Sequence, residues 1–243
     1  IGDIILTTPL IRRLRNKFPQ AQIDFFIKPA YRTILAGNPY LTAIHTEPEK
    51  LKPKYDVIID LQNNFRSLQL RKGRAKRVFY YQKQNWKKFL LVHFKLHLLH
   101  DHLPVSERYV ESVAPLGLLD DDLGCDYFIA EKDRQFAEKA FSTKRKTLAL
   151  CFGAKHFTKQ YPPTRYAEVL NRLFAETDVQ VLLLGGKEDA ALAKEISDNV
   201  TDKTHLLDFS GKCSLGETAS LLARANAVRK ASGNRSLLSR QAS

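Results

Sequence analysis

Asp3, directly after Gly2, opens the run Ile4-Ile5-Leu6-Thr7-Thr8-Pro9-Leu10-Ile11, which suits the loop and helix that follow a β-strand. A carboxylate at the positive end of a helix stays ionised and is placed to accept a proton from a substrate hydroxyl. An ordinary helix-start aspartate that only caps has the same sequence. A second place is Gly153-Ala154-Lys155-His156-Phe157-Thr158-Lys159-Gln160-Tyr161-Pro162-Pro163. A glycine, then hydroxyl and lysine groups, then a Pro-Pro helix start, can present donors to a phosphate. Many polar loops share that composition. The third place is Gly185-Gly186-Lys187-Glu188-Asp189. Its glycines let a ligand approach the backbone, and Glu188 could hold a ribose diol through two hydrogen bonds. The alternative is a tight turn whose acids stabilise a helix start.

The fourth place is basic. Arg66, Arg71, Lys72, Arg74, Lys76, Arg77, Lys83, Lys87, Lys88 and Lys95 interleave with Phe79, Tyr80, Tyr81, Trp86, Phe89 and Phe94. Trp86, Phe89, Leu90, His93, Phe94 and His97 fall at helical spacing, the pattern of a helix lying on an anionic bilayer. A core-facing helix with a solvated basic side reads the same way. Single-stranded nucleic acid also suits such a mixture, but no nucleic-acid module accompanies it. His93, His97, His100 and His102 have only Asp101 nearby and form no HExxH, so no metal site is expected. Neither GxxxxGK[ST] nor GxGxxG is present. Cys125, Cys151 and Cys213 are far apart and form no CxxC, which excludes a disulfide framework and a zinc ribbon and fits a reducing cytosol.

These places need strands and helices to hold them. Ala21–Ile27, Tyr55–Leu61, Thr147–Phe152 and Val179–Leu184 read as short buried strands. Helical patterns cover Leu10–Phe18, Phe65–Lys72, Trp86–Leu99, Ser106–Leu116, Asp133–Phe141, Thr164–Glu176, Lys187–Asn199 and Leu215–Ala223. Strands alternating with helices argue for parallel βαβ units and an α/β fold, with ligands at the carboxyl ends of the strands. Asp120-Asp121-Asp122-Leu123-Gly124 reads as an exposed acidic break. The expected division is residues 1–142, then 143–228, then an atypical polar tail over 229–243.

The 243 residues, 44% hydrophobic and 27% charged, exclude a disordered or collagen-like chain. No stretch approaches the ~18 apolar residues of a membrane span. Residues 1–100 hold 19 Lys+Arg against 6 Asp+Glu, which is the entire formal charge of +13. Residues 101–243 balance, and no acid occurs from Leu61 to His100. A single-signed field of this kind attracts an anionic partner. The chain contains no methionine, and its opening reads as lacking a first strand.

Taken in order, several segments resemble glycosyltransferase family nine, the lipopolysaccharide heptosyltransferases. Gly2-Asp3-Ile4-Ile5-Leu6-Thr7-Thr8-Pro9 is similar to the family's GD…TP opening. Asn38-Pro39-Tyr40, Tyr55-Asp56-Val57-Ile58-Ile59-Asp60-Leu61-Gln62 and Arg66-Ser67 follow in place. Lys159-Gln160-Tyr161-Pro162 looks like K-x-W-P with Tyr for Trp. Leu184-Gly185-Gly186-Lys187-Glu188 and Ser210-Gly211-Lys212-Cys213-Ser214-Leu215 complete the series. The resemblance covers roughly residues 1–228.

It implies a GT-B architecture of two Rossmann-like domains with parallel sheets, the second incomplete here. It also implies metal-independent, inverting transfer of a sugar from a nucleotide diphosphate donor, typically ADP-heptose, to an inner-core lipopolysaccharide acceptor. No cofactor is implied. By resemblance Asp3 is the base. Thr158, Lys159, Gly185, Gly186 and Glu188 bind the donor, and Gly2, Thr7 and Arg66 bind the acceptor. The anionic acceptor and the anionic inner face of the inner membrane would explain the basic charge, with peripheral attachment and no nucleic-acid partner. After Val228 the family continues with D-[ST]-G-x-x-H, where this chain has Arg229-Lys230-Ala231-Ser232-Gly233-Asn234-Arg235. That departure leads to the expectation of a family member interrupted at both ends, with an inactive binding remnant or a basic nucleic-acid-binding protein as the alternatives.

Overall fold

The computed structural model describes residues 1–82, 103–141, 145–153 and 161–230. The expected helix Trp86–Leu99 and the residues Thr158 and Lys159 lie outside them. The chain divides into two compact units, Ile1–Phe128 and Ile129–Ser243. This division falls earlier than the expected 142, because the helix Glu131–Ala140 packs its Ala137 into the core of the second unit with Leu221.

In the first unit a single turn, α1 (Gly2–Ile5), leads into α2 (Thr8–Lys17). Pro9 suits the first turn of α2, since its missing N–H would have no helical partner there. Strands β1 (Asp24–Phe26) and β2 (Ala43–His45) pair in parallel, as do β3 (Tyr55–Asp60) and β4 (Ala75–Tyr80). Helix α3 (Phe65–Arg71) crosses between β3 and β4. Asn64 and Ser67 cap it reciprocally, each accepting the other's backbone N–H. Leu10 of α2 packs with Ile59 and Phe79, while its neighbour Ile11 packs with Ile27, Phe25 and Ile44. One helix therefore covers both strand pairs. Helix α4 (Val105–Glu111) adds Tyr109 and, just beyond its end, Val113 to the first of these clusters.

The stretch from Ala75 to Tyr80 is a strand that charge concealed: Lys76 and Arg77 break its apolar run, yet it pairs with β3 from end to end. The acidic break is exposed at Asp120, Asp122, Leu123 and Gly124, as expected, and it is also anchored. Arg12 and Arg13 of α2 are 2% and 4% exposed and draw the segment 120–126 onto the helix. Arg12 binds Asp121 (2.7 Å), Asp126 and the carbonyls of Leu123 and Gly124. Arg13 binds Glu107 (2.9 Å) and Asp120 (2.5 Å). The Arg12 guanidinium holds the Asp121 carboxyl down at about 2, although burial works the other way.

The second unit is a four-stranded parallel sheet in the order β7-β6-β5-β8: β5 (Lys146–Cys151), β6 (Val179–Leu184), β7 (Leu206–Asp208) and β8 (Ala227–Lys230). Side chains alternate between its faces with the period of two that a strand imposes. Val181 and Leu183 meet α6 (Pro163–Glu176) and α7 (Ala190–Asp198) through Leu170 and Ile196. Leu182 and Leu184 meet α5 (Glu131–Ala140) and α8 (Leu215–Arg224) through Ala137 and Leu221. Val181, Leu182 and Leu183 are fully buried, each contributing about 1.5–3 kcal/mol by leaving water. The expected tail begins too early, since Arg229 and Lys230 still belong to β8, paired with Leu150 and Cys151 of β5. Asn226 aligns the start of that pairing: its N–H donates to the Thr147 carbonyl, and its side chain accepts from the Thr147 N–H.

Candidate active site

In the first unit the loops at the carboxyl ends of β3 and β4 lie with the α1 turn. Asp3 is exposed, and its carboxylate has no hydrogen bond or ion pair among the described residues. Beside it stands Tyr109, 7% exposed and set edge-to-face against Tyr81 at 5.0 Å. Burial, and then the Asp3 charge, push the Tyr109 phenol above its ordinary range. It is therefore a neutral neighbour of Asp3 at pH 7. Thr7 was expected at the acceptor. It is buried, and its hydroxyl donates to the Ile4 carbonyl at 2.7 Å, locking the step from α1 to α2.

Arg66 is exposed on the first turn of α3. Below it Asp60, 6% exposed, shapes the Asp60–Asn64 turn. One carboxylate oxygen accepts the N–H groups of Gln62 (3.0 Å) and Asn63 (2.8 Å). The other lies 3.2 Å from the Arg71 guanidinium, an ion pair at an angle too poor for a hydrogen bond. Asn63 takes a left-handed φ of 43°, which an asparagine tolerates and which its side-chain bond to the Tyr81 carbonyl supports. The order Asp60-Leu61-Gln62 was visible in the sequence; that Asp60 is the brace of the turn was not.

In the second unit the sheet's carboxyl edge gathers Gly153, Gly185-Gly186, Glu188 and Ser210-Gly211. The Gly211 N–H donates to the Gly185 carbonyl at 3.0 Å, which ties the loops after β6 and β7 together. Gly211 has φ +70°, and a Cβ there would meet the Lys187 backbone at 3.1 Å. Gly185 and Gly153 also have a close neighbour within the chain. What approaches them closely is Asp189: a Cβ on Gly185 would meet the Asp189 Cβ at 2.8 Å and the Phe152 ring at 3.2 Å. Asp189 accepts the Gly186 N–H at 2.8 Å, pinning the turn. Glu188 is exposed and its carboxylate folds back over Gly186.

Sequence reasoning assigned no role to Ser210, which is 3% exposed at this edge. Asp208 holds the adjacent backbone by accepting the Ser210 N–H at 2.8 Å. Burial opposes the charge on Asp208, but this bond and Lys212 keep its carboxyl below the ordinary range. Burial pushes the Cys213 thiol up to about 11, which keeps it protonated at pH 7. Among the described residues no group of His, Cys, Asp or Glu could hold a metal ion.

Residues 47–229 match the model of glycosyltransferase family 9 (heptosyltransferase), three-quarters of the chain. The chain belongs to this family. A lipooligosaccharide heptosyltransferase 2 of Haemophilus ducreyi is 23% identical over 94% of this chain and 73% of its own length. The family 9 glycosyltransferase structure from Veillonella parvula matches with a TM-score of 0.78 at 21% identity, covering 94% of this chain and 71% of that one. The E. coli heptosyltransferase WaaC, solved with ADP-2-deoxy-2-fluoro heptose, matches with a TM-score of 0.69 at 18% identity, covering 94% and 79%. The family 9 chain is thus a glycosyltransferase of the GT-B type, and its two α/β units with parallel strands are the two Rossmann-like halves expected from the sequence.

Proposed function

We propose that this family 9 enzyme moves a heptose from ADP-heptose to the inner core of lipopolysaccharide, inverting the anomeric centre without a metal. It would work at the cytoplasmic face of the membrane that carries the acceptor. The observation that carries the donor reading is the shared edge of the second sheet, where Gly186, Glu188 and Ser210-Gly211 meet at the carboxyl ends of β6 and β7. That is where open parallel sheets bind nucleotides. Exposed, and unpaired among the described residues, Glu188 is available to a ribose diol. The names of the relatives supply the sugar and the nucleotide.

In this reading an acceptor hydroxyl attacks the anomeric carbon. The carbon–oxygen bond to the diphosphate breaks, and ADP leaves with the electron pair. Asp3 takes the hydroxyl proton, and its exposure leaves it free to do so. Lys159 neutralises the charge that develops on the diphosphate, assisted by a hydrogen bond from the Thr158 hydroxyl. Gly2 and Arg66 contact the anionic acceptor, while Thr7, buried and bonded to Ile4, holds the α1 turn that carries Asp3. An anionic membrane surface is a further partner, and nucleic acid is not.

The test is release of ADP from ADP-heptose in the presence of lipopolysaccharide core. Asp3→Ala should lower turnover by about 10²–10⁴-fold, the usual contribution of a general base, and leave ADP affinity within a factor of about two in calorimetry. Near-normal turnover in that variant would remove Asp3 from the role.

A further inference from the structure

Helix α3 and strand β4 share a face on which apolar side chains stand in solvent. Phe65 is 74% exposed, Leu68 47%, Val78 38% and Tyr80 45%. Leu68, Val78 and Tyr80 line a shallow depression of about 310 Å³ with Arg71, Lys72, Gly73 and Ala75. The Arg71 guanidinium, already paired with Asp60, lies 5.3 Å above the Tyr80 ring and keeps that ring in place. Phe65, Leu68 and Lys72 follow one another at i, i+3 and i+7 along one stripe of the helix and its cap. Val78 and Tyr80 project on one side of β4, as alternate residues of a strand do, together with Lys76.

Soluble surfaces carry scattered exposed leucines without consequence; a contiguous aromatic and aliphatic group bordered by one sign of charge marks a contact. Arg66 and Lys72 are exposed with no carboxylate partner among the described residues, and Lys76 meets only the exposed Asp56. No acid occurs in the sequence from Leu61 to His100. Leu119 and Leu123 are exposed as well, but they flank Asp120, Asp121 and Asp122 and would be repelled by an anionic surface.

We propose that this face of α3 and β4 docks on an anionic phospholipid bilayer. Phe65, Leu68, Val78 and Tyr80 enter the boundary between headgroups and acyl chains, and Lys72 and Lys76 pair with lipid phosphates. The inference rests on the reading that the acceptor is held by a membrane lipid, and it names the part of the molecule that meets the membrane. An acceptor oligosaccharide alone would account for the cations but not for a phenylalanine three-quarters in water.

The test is co-sedimentation of the full chain with vesicles of phosphatidylethanolamine and phosphatidylglycerol, against vesicles of phosphatidylcholine alone. The parent should bind the first and not the second. Phe65→Ser with Leu68→Ser should weaken partitioning about tenfold or more, the scale for withdrawing two half-inserted apolar side chains. Lys72→Glu should weaken it about fivefold or more, an effect that fades at high salt. All three side chains are solvent-facing, so circular dichroism should be unchanged, as should ADP binding at the second unit. A parent that ignores anionic vesicles, or a double serine variant that binds like the parent, overturns the inference. Transfer to lipid-free core oligosaccharide is measured beside it. If that transfer fails in the parent, the heptose reading falls; if it persists while vesicle binding is absent, only the lipid face falls.

Discussion

Asp3 and Glu188 are the two acids whose exposure matches their proposed work, and a loss of either should have a distinct signature. Glu188→Gln should weaken ADP and adenosine to a similar degree in calorimetry, because the ribose is common to both. A loss confined to ADP would place Glu188 on the phosphates instead. Lys159→Ala should cost about 1.5–3 kcal/mol of ADP affinity, the range for a hydrogen bond to a charged group, with the loss shrinking as salt rises. The glycines divide differently. Gly185→Ala forces a Cβ to 2.8 Å from the Asp189 Cβ, and overpacking of that kind costs about 1–3 kcal/mol. Urea unfolding should therefore show a lowered midpoint. An unchanged midpoint with weakened ADP binding would restore Gly185 to direct ligand contact. The sequence showed a Gly-Gly turn before acids but not which group crowds it, since that depends on where Asp189 lands after one 3₁₀ turn.

Among the elements, α2 carries the heaviest electrostatic demand. Two buried arginines within one turn are tolerable only because Glu107, Asp120, Asp121 and Asp126 reach them from more than ninety residues away. Arg12→Ala would leave Asp126 without its cation and Asp121 with only Arg13 at 3.5 Å, and breaking a buried pair from one side costs about 3–5 kcal/mol. Arg12→Lys should recover little, because an ammonium cannot span two carboxylates and two carbonyls in one plane. Denaturant titration of the two variants measures both. The same contacts set an acid limit. Asp121 titrates at about 2 when folded, below its ordinary 3.8, so the folded state binds the ionised form more tightly. The stability it contributes is complete above about pH 4 and is lost as pH falls toward 2. In Arg12→Ala the unfolding free energy should vary less steeply across that window.

At the scale of the whole molecule each unit has its own cores, and Arg12 and Gly185 share no partner among the described residues. Hydrogen exchange of Arg12→Ala should thus lose protection in α2, α4 and residues 120–126 while β5 and β6 keep theirs. Equal loss in β6 would show that the units unfold together. Charge is distributed on the same pattern. Counted by unit, residues 1–128 hold 20 Lys+Arg against 13 Asp+Glu, and residues 129–243 hold 19 against 13, so the balances are +7 and +6. The basic first hundred residues are offset by acids from 101 to 128 that belong to the same unit, and four of those acids are engaged by Arg12 and Arg13.

The sequence by itself determined the strands that are apolar along almost their whole length. Val179–Leu184 was legible to the residue because both of its faces are buried and Gln180 is its one polar residue. It also determined the ordered motifs from Gly2-Asp3 to Ser210-Gly211, and with them the family, because turns at strand ends need particular residues at fixed spacing. Tertiary structure alone decided β4, whose lysine and arginine look like surface until β3 supplies its hydrogen bonds. It likewise decided what anchors the acidic segment, which stays largely exposed while Arg12 and Arg13 of α2 bind its carboxylates. Thr7, expected to bind the acceptor, is buried with its hydroxyl on the Ile4 carbonyl. In each case the side chain's environment comes from a partner distant in the chain, and charge or polarity in a local window carries no record of that partner.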